Sequence, residues 1–194
     1  MRKYASAYST ILSKKGLKHI YIDAFAAAGE HVSKATGEWI AGSPSNALHV
    51  SPPFAEYHFI DLDSARVENL RRLAGARADV YIYEQDCNRV LLEHIFPTLE
   101  FVKRRRALCL LDPYGLSLQW RVIYQAGQLG TIDMFLNFPV MGMNRYALWR
   151  NPTKAPAEGL ARRNSFGAMT LGSRLPTLRN EVCSARKKRN LMRP

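Results

Sequence analysis

The chain has 194 residues, 47% of them hydrophobic, and a formal charge of +12. That apolar mass suits one compact core, since single domains usually run about 100–200 residues. Apolar runs, such as Cys109-Leu110-Leu111 and Met134-Phe135-Leu136, fall well short of the ~20 residues a membrane helix needs, and no apolar leader follows Met1, so neither a membrane span nor export is expected and a cytoplasmic location is the expectation.

From residue 19 to about 138, short runs rich in β-formers alternate with helix-like stretches. This is the pattern of a parallel sheet with crossover helices, so the fold class is α/β. The first strand is expected over 19–25. Ser43 and Pro44 then place an N-cap and a first-turn proline on a helix running to about Val50, before the Pro52-Pro53 break. A second strand is expected over 56–61, followed by a helix capped by Asp63 that carries Val67, Leu70 and Leu73 on one face. The third strand covers 79–84, and Asn88 opens a helix with Leu91, Leu92 and Ile95 on one face. A fourth strand covers 106–112, a helix runs over 119–129 to Gly130, and the fifth strand covers 132–138. All five strands are nearly continuous apolar segments, as expected where helices cover both faces. Right-handed crossovers then predict the sheet order 3-2-1-4-5.

Beyond residue 149 the texture changes. Eleven cations and only two acids lie from Arg150 onward, with scattered Leu, Ser and Pro and no sustained period. Residues 1–149 are therefore expected to form the folded domain and 150–194 a basic, irregular tail able to hold nucleic-acid phosphates nonspecifically. The three cysteines, Cys87, Cys109 and Cys183, lack zinc-site or disulfide spacing and read as reduced structural thiols.

In open parallel sheets, ligands bind beyond the carboxyl ends of the strands, at the point where strand order reverses. The chemically useful residues of this chain cluster at those ends. The small-residue loop after the first strand holds Asp23, Phe25, Ala27 and Gly29 and lets the backbone approach a ligand closely. Asp61, with Asp63 as substitute, can accept both hydroxyl protons of a ribose. Asp86 can accept from an adenine amino group, and Asp112-Pro113-Tyr114 combines an oxygen acceptor with a ring that stacks on a planar base. Four such ends in register carry more weight than any one alone. These residues are expected to line one cleft.

Asp112-Pro113-Tyr114-Gly115 is similar to the motif of amino-group methyltransferases, which usually has two prolines before the aromatic residue where this chain has Pro113 alone. Taken with Asp23-Ala24-Phe25-Ala26, Gly42-Ser43-Pro44, Phe59-Ile60-Asp61-Leu62-Asp63, Asp86-Cys87-Asn88 and Ile132 through Pro139, followed by Met143-Asn144-Arg145, the chain resembles the three-Cys-motif partner (TcmP) family over about residues 21–149. The resemblance implies a Rossmann-like class I methyltransferase fold, S-adenosyl-L-methionine as cofactor, and a partner protein bearing the three-cysteine motif. It assigns cofactor binding to Asp23, Phe25, Ala27, Gly29, Asp61, Asp63 and Asp86, and the acceptor site to Asp112, Pro113 and Tyr114, with no metal.

Two departures stand out. Ala27 replaces a glycine of the family's loop, so a requirement for positive φ or close ligand approach would weaken cofactor binding. The last two strands of a complete methyltransferase sheet are not recognisable after Trp149, so a truncated or altered, inactive form is expected, with the fifth strand's Met134, Leu136 and Phe138 poorly covered on at least one side. The expected function is methyl transfer to a nitrogen on a nucleic acid or related amine. The alternative is a non-catalytic nucleic-acid- or partner-binding module on a degenerate Rossmann scaffold. A nicotinamide oxidoreductase fits less well, because the glycine fingerprint is missing.

Overall fold

The computed structural model describes residues 2–27, 30–32, 39–114, 117–138, 140, 141 and 161. Expectations that fall on Gly29, and nearly all of those on the basic tail, lie outside the described residues. In chain order the elements are α1 (Arg2–Lys14), β1 (Lys18–Asp23), the short β2 (Glu30–Val32) and β3 (Trp39–Ala41), α2 (Ser43–Leu48), β4 (Glu56–Asp61), α3 (Ser64–Ala74) and β5 (Val80–Glu84). There follow α4 (Cys87–Arg89), which widens into a π-type turn over Val90–Ile95, then β6 (Arg105–Leu111), α5 (Trp120–Leu129) and β7 (Ile132–Leu136).

Five strands form one sheet in the order β5-β4-β1-β6-β7, and every neighbouring pair is parallel. This is the 3-2-1-4-5 order expected from the crossover rules. The antiparallel β2–β3 pair and the helix α1 were not foreseen. β1 lies at the centre, and the order reverses between β1 and β6, so the carboxyl ends of those two strands flank the switch point.

Burial explains the pairing. In β1, β4 and β6 nearly every residue is buried, because both faces of the central strands are covered. One face carries Ile20, Ile22, Ile60, Cys109 and Leu111 against Val90, Leu91, Ile95 and Val122. The other carries Tyr21, Tyr57, Phe59 and Leu108 against Ala5 and Tyr8 of α1, Ala47 of α2 and Leu70 of α3. Burying side chains of this size contributes about 1.5–3 kcal/mol each.

The expectation of full coverage fails at β5 and β7. Their burial is only partial, because a strand with one neighbour lies at the margin of the covering helices. In β7, Met134 and Leu136 pack against the core, while Phe135 is 44% exposed and touches Tyr4 of α1 at 6.4 Å between ring centroids. The poorly covered residues at this edge are thus Phe135 and Phe138 rather than Met134 and Leu136.

Local caps follow the sequence with two corrections. Asp63 caps α3, accepting from the N–H groups of Ala65 and Arg66 at 2.9 and 3.0 Å. Gly42, not Ser43, is the N-cap of α2, and the helix ends at Leu48. Asp86, not Asn88, caps α4, accepting from the Arg89 N–H at 3.1 Å. An aspartate carboxylate reaches the third N–H of a helix readily, which frees Asn88 for another task. No helix among the described residues is long and apolar enough to cross a membrane.

Candidate functional site

A cavity of about 610 Å³ opens at the carboxyl edge of the sheet. Its volume falls within the roughly 300–1,000 Å³ common for small-molecule sites. Four segments build it: Ala24, Phe25 and Ala27 after β1; Asp61, Leu62 and Asp63 at the end of β4, with Arg66 of α3; Gln85, Asp86 and Cys87 after β5; and Asp112, Pro113, Tyr114 and Ser117 after β6. The topology gathers these segments because all four parallel strands end on the same side.

Asp61 is nearly buried. One of its oxygens accepts from the Asp63 N–H at 2.8 Å, and the other faces the Arg66 guanidinium at 3.5 Å. A carboxylate has about four lone-pair sites, so capacity for a ligand hydroxyl remains, in competition with Arg66. Asp63 lines the cavity but spends its carboxylate on the α3 cap, the alternative role foreseen for it. Asp86 likewise lines the cavity while capping α4.

Asp112 is exposed and accepts from the Asn137 side-chain amide at 2.8 Å through one oxygen. Pro113 is buried beside it, and Tyr114 lines the cavity with its side chain 90% exposed, so its ring is available for stacking. Ala27 also lines the cavity and is exposed. The positive-φ residues outside glycine, among those described, consist of Arg104 alone, so Ala27 carries no left-handed strain. What its methyl group changes is the closeness of approach to a ligand.

Asp23 departs from expectation. It is wholly buried and does not line the cavity. The reason is register rather than face: Asp23 pairs with Phe59, two residues short of Asp61, so it stays with Tyr21 in the layer under α2, while Ala24 and Asp61 reach the cavity. Burial pushes its pKa up to about 6, against the pull of the Ser43 hydroxyl and the Phe25 N–H, and the carboxylates of Asp112 and Asp61 add to the rise. Among the described residues its Oδ2 has no hydrogen-bond partner.

Several participants escaped the sequence reading. Asn88 is buried and ties two loops together: its amide donates to Asp86 at 3.3 Å and to the Ser117 carbonyl at 3.0 Å, and its oxygen accepts from the Gln119 N–H at 2.7 Å. Asn137 orients Asp112. Arg66 lies in the first turn of α3, where the helix dipole disfavours a cation, and that misplaced charge was the one signal that could have marked it. Cys87 and Cys109 are buried free thiols, and burial pushes the Cys87 thiol up to about 12, so neither the exposure nor the acidity of a reactive cysteine is present. Among the described residues no cluster of His, Cys, Asp or Glu is arranged to hold a metal ion.

The fold and the site define a class: an α/β protein with an open, all-parallel five-stranded sheet and a cleft at its switch point. No family model and no curated protein matches the chain. A solved structure, protein LPL1258 from Legionella pneumophila str. Philadelphia 1, described by the family model DUF519, is similar with a TM-score of 0.50 and 12% identity, over 81% of this chain and 70% of that one. At that identity the likeness speaks to the fold alone.

Proposed function

We propose that this chain is a class I methyltransferase-like protein of the three-Cys-motif partner type, with S-adenosyl-L-methionine as the ligand of the carboxyl-edge cleft and a nitrogen on a nucleic acid or related amine as the methyl acceptor. The observation that carries the reading is the convergence of Asp61, Asp86 and Asp112-Pro113-Tyr114, from three different strand ends, on one cavity. The residues fit the ligand in charge as well as size. Among the described residues lining the cavity, Asp61, Asp63, Asp86 and Asp112 outnumber the cation Arg66, an electrostatic setting that favours a cationic sulfonium and amine.

When bound, adenosylmethionine supplies an electrophilic methyl group. The chain's own residues supply binding and orientation. Asp61 offers lone pairs to ribose hydroxyls, and Asp86 can take an amino proton of the adenine. Asp112, steadied by Asn137 through one oxygen, presents the other to an acceptor N–H, and the Tyr114 ring gives a planar acceptor a surface to stack on. Holding the acceptor nitrogen in line is worth far more than any single contact, because orientation alone can supply several kcal/mol of a barrier.

Calorimetric titration with adenosylmethionine and adenosylhomocysteine tests the reading, followed by a radiolabelled methyl-transfer screen over RNA, DNA and small amines. Binding that is lost in Asp61→Ala is expected. Absence of any heat from both ligands, in a protein whose circular dichroism shows it folded, would overturn it.

A further inference from the structure

At the opposite edge of the sheet two basic runs meet. Lys14 closes α1, Lys15 follows it, and Gly16, at φ +60°, turns the chain into Lys18 of β1. Lys103, Arg104, Arg105 and Arg106 lead into β6, almost ninety residues later. Parallel pairing sets Lys18 opposite Arg105 and His19 opposite Arg106. Two bonds then lock the runs together: the Lys18 N–H donates to the Arg104 carbonyl at 3.2 Å, and the Arg104 guanidinium donates to the Lys15 carbonyl at 3.3 Å.

Neutralisation at this edge is partial. Glu56 takes both Lys18, at 2.7 Å, and Arg105, at 2.5 Å, and Glu100 takes Lys103 at 3.5 Å. Among the described residues Lys14, Lys15, Arg104 and Arg106 form no ion pair, and Lys14, Lys15 and Arg104 are exposed. The Arg106 guanidinium lies 4.4 Å from the centroid of the Phe101 ring, which is itself 64% exposed.

We propose that this amino edge is a docking surface for nucleic acid, holding the phosphate backbone with Lys14, Lys15, Lys103 and Arg104 and an unpaired base against Phe101. A row of fixed cations suits a polyanion that carries one charge per roughly 3.4 Å of axis on each strand. An exposed ring already backed by a guanidinium is the stacking platform that single-stranded nucleic acids use. An anionic lipid surface fits less well, because the cations sit at the end of α1, on the turn after it and in the short turn before β6 rather than along the polar face of one amphipathic helix. The surface is independent of the cofactor reading, since it shares no residue with the cleft.

The experiment measures fluorescence anisotropy of a labelled single-stranded RNA and a labelled RNA hairpin, over a series of KCl concentrations, with the full chain. The Lys14→Glu/Lys15→Glu/Lys103→Glu variant should lower affinity at least about tenfold and flatten the slope of log K against log salt by about 2 for the single strand, even though the tail's cations remain. The corresponding Lys→Gln variant should fall between it and the parent, and Phe101→Ala should cost about fivefold or more on the single strand. These side chains are exposed, and equal thermal midpoints confirm that the variants fold. An unchanged slope, no RNA binding by the parent, or a loss confined to phosphatidylserine vesicles with RNA affinity intact would each overturn the proposal.

Discussion

The two edges of the sheet have opposite electrostatic character. At the carboxyl edge four aspartates and one arginine surround a cavity; at the amino edge seven cations from residues 14–18 and 103–106 share Glu56 and Glu100. The carboxyl edge uses much of its charge internally, since Asp63 and Asp86 cap helices and Asp61 holds a loop N–H. Among the described residues the amino edge leaves Lys14, Lys15, Arg104 and Arg106 without acidic partners. A concave acidic cleft suits a small cationic ligand, whereas an open basic edge suits an extended anion, and the contrast separates the two tasks in space.

The edges should also respond to pH in opposite directions. Between its ordinary 3.8 and about 6, buried Asp23 keeps its proton in the native state while the unfolded chain has released it. Stability therefore falls as pH rises through that window and stays reduced above it, by about 3 kcal/mol for a shift of this size. Asp23→Asn should abolish the fall, and chemical denaturation between pH 3 and pH 7 measures it. A parent whose stability relative to Asp23→Asn does not decline across that window would show that Asp23 is solvated.

Next in size is the acceptor side of the cleft. Asp112→Ala should reduce whatever methyl transfer the parent shows about a hundredfold while leaving adenosylmethionine affinity within a few-fold, the effect of losing acceptor orientation rather than ligand binding. Steady-state kinetics beside calorimetry separates the two. Asn137→Ala should act in the same sense but more weakly, through Asp112.

At the amino edge Glu56 works the other way from Asp23. Burial opposes its charge, but Arg105 and Lys18 overcome that and hold its pKa at about 2. Between about 2 and its ordinary 4.5, the native state has already released a proton that the unfolded chain still holds, so this stability is fully present above 4.5 and is lost as pH falls. Glu56→Gln should cost about 1–3 kcal/mol at neutral pH and flatten the acid limb, read from urea denaturation curves. The smallest expected effect is at the ligand's margin. Ala27→Gly should tighten adenosylmethionine binding, and Arg66→Gln should change it by less than about 1 kcal/mol by releasing buried Asp61 from a long contact with a half-exposed guanidinium, both measured by calorimetry.

The five strands of the parallel sheet, their order and the set of strand ends that meet at the cleft were legible in the residues alone. Each of these rests on local information: apolar runs of strand length, Gly and Pro punctuation, and the handedness of crossovers. The residues also marked Asp63 as a cap, because an aspartate just ahead of the helical spacing of Val67 and Leu70 is a preferred N-cap. Only the tertiary structure decided which aspartates face the cavity. Asp23 and Asp61 both end strands and share a face, yet Asp23 pairs with Phe59 and stays buried under α2 while Asp61, two residues further along, reaches the cleft, since the register between strands is not written in either strand alone. Asn137 reaches Asp112, and Asn88 pins the 117–119 segment, because strands and loops distant in sequence become neighbours. The joining of Lys14 and Lys15 with Lys103 through Arg106 has the same origin. Charge runs are written locally, but the field they make depends on the pairing of β1 with β6, which is a long-range consequence of burying both faces of the central strands.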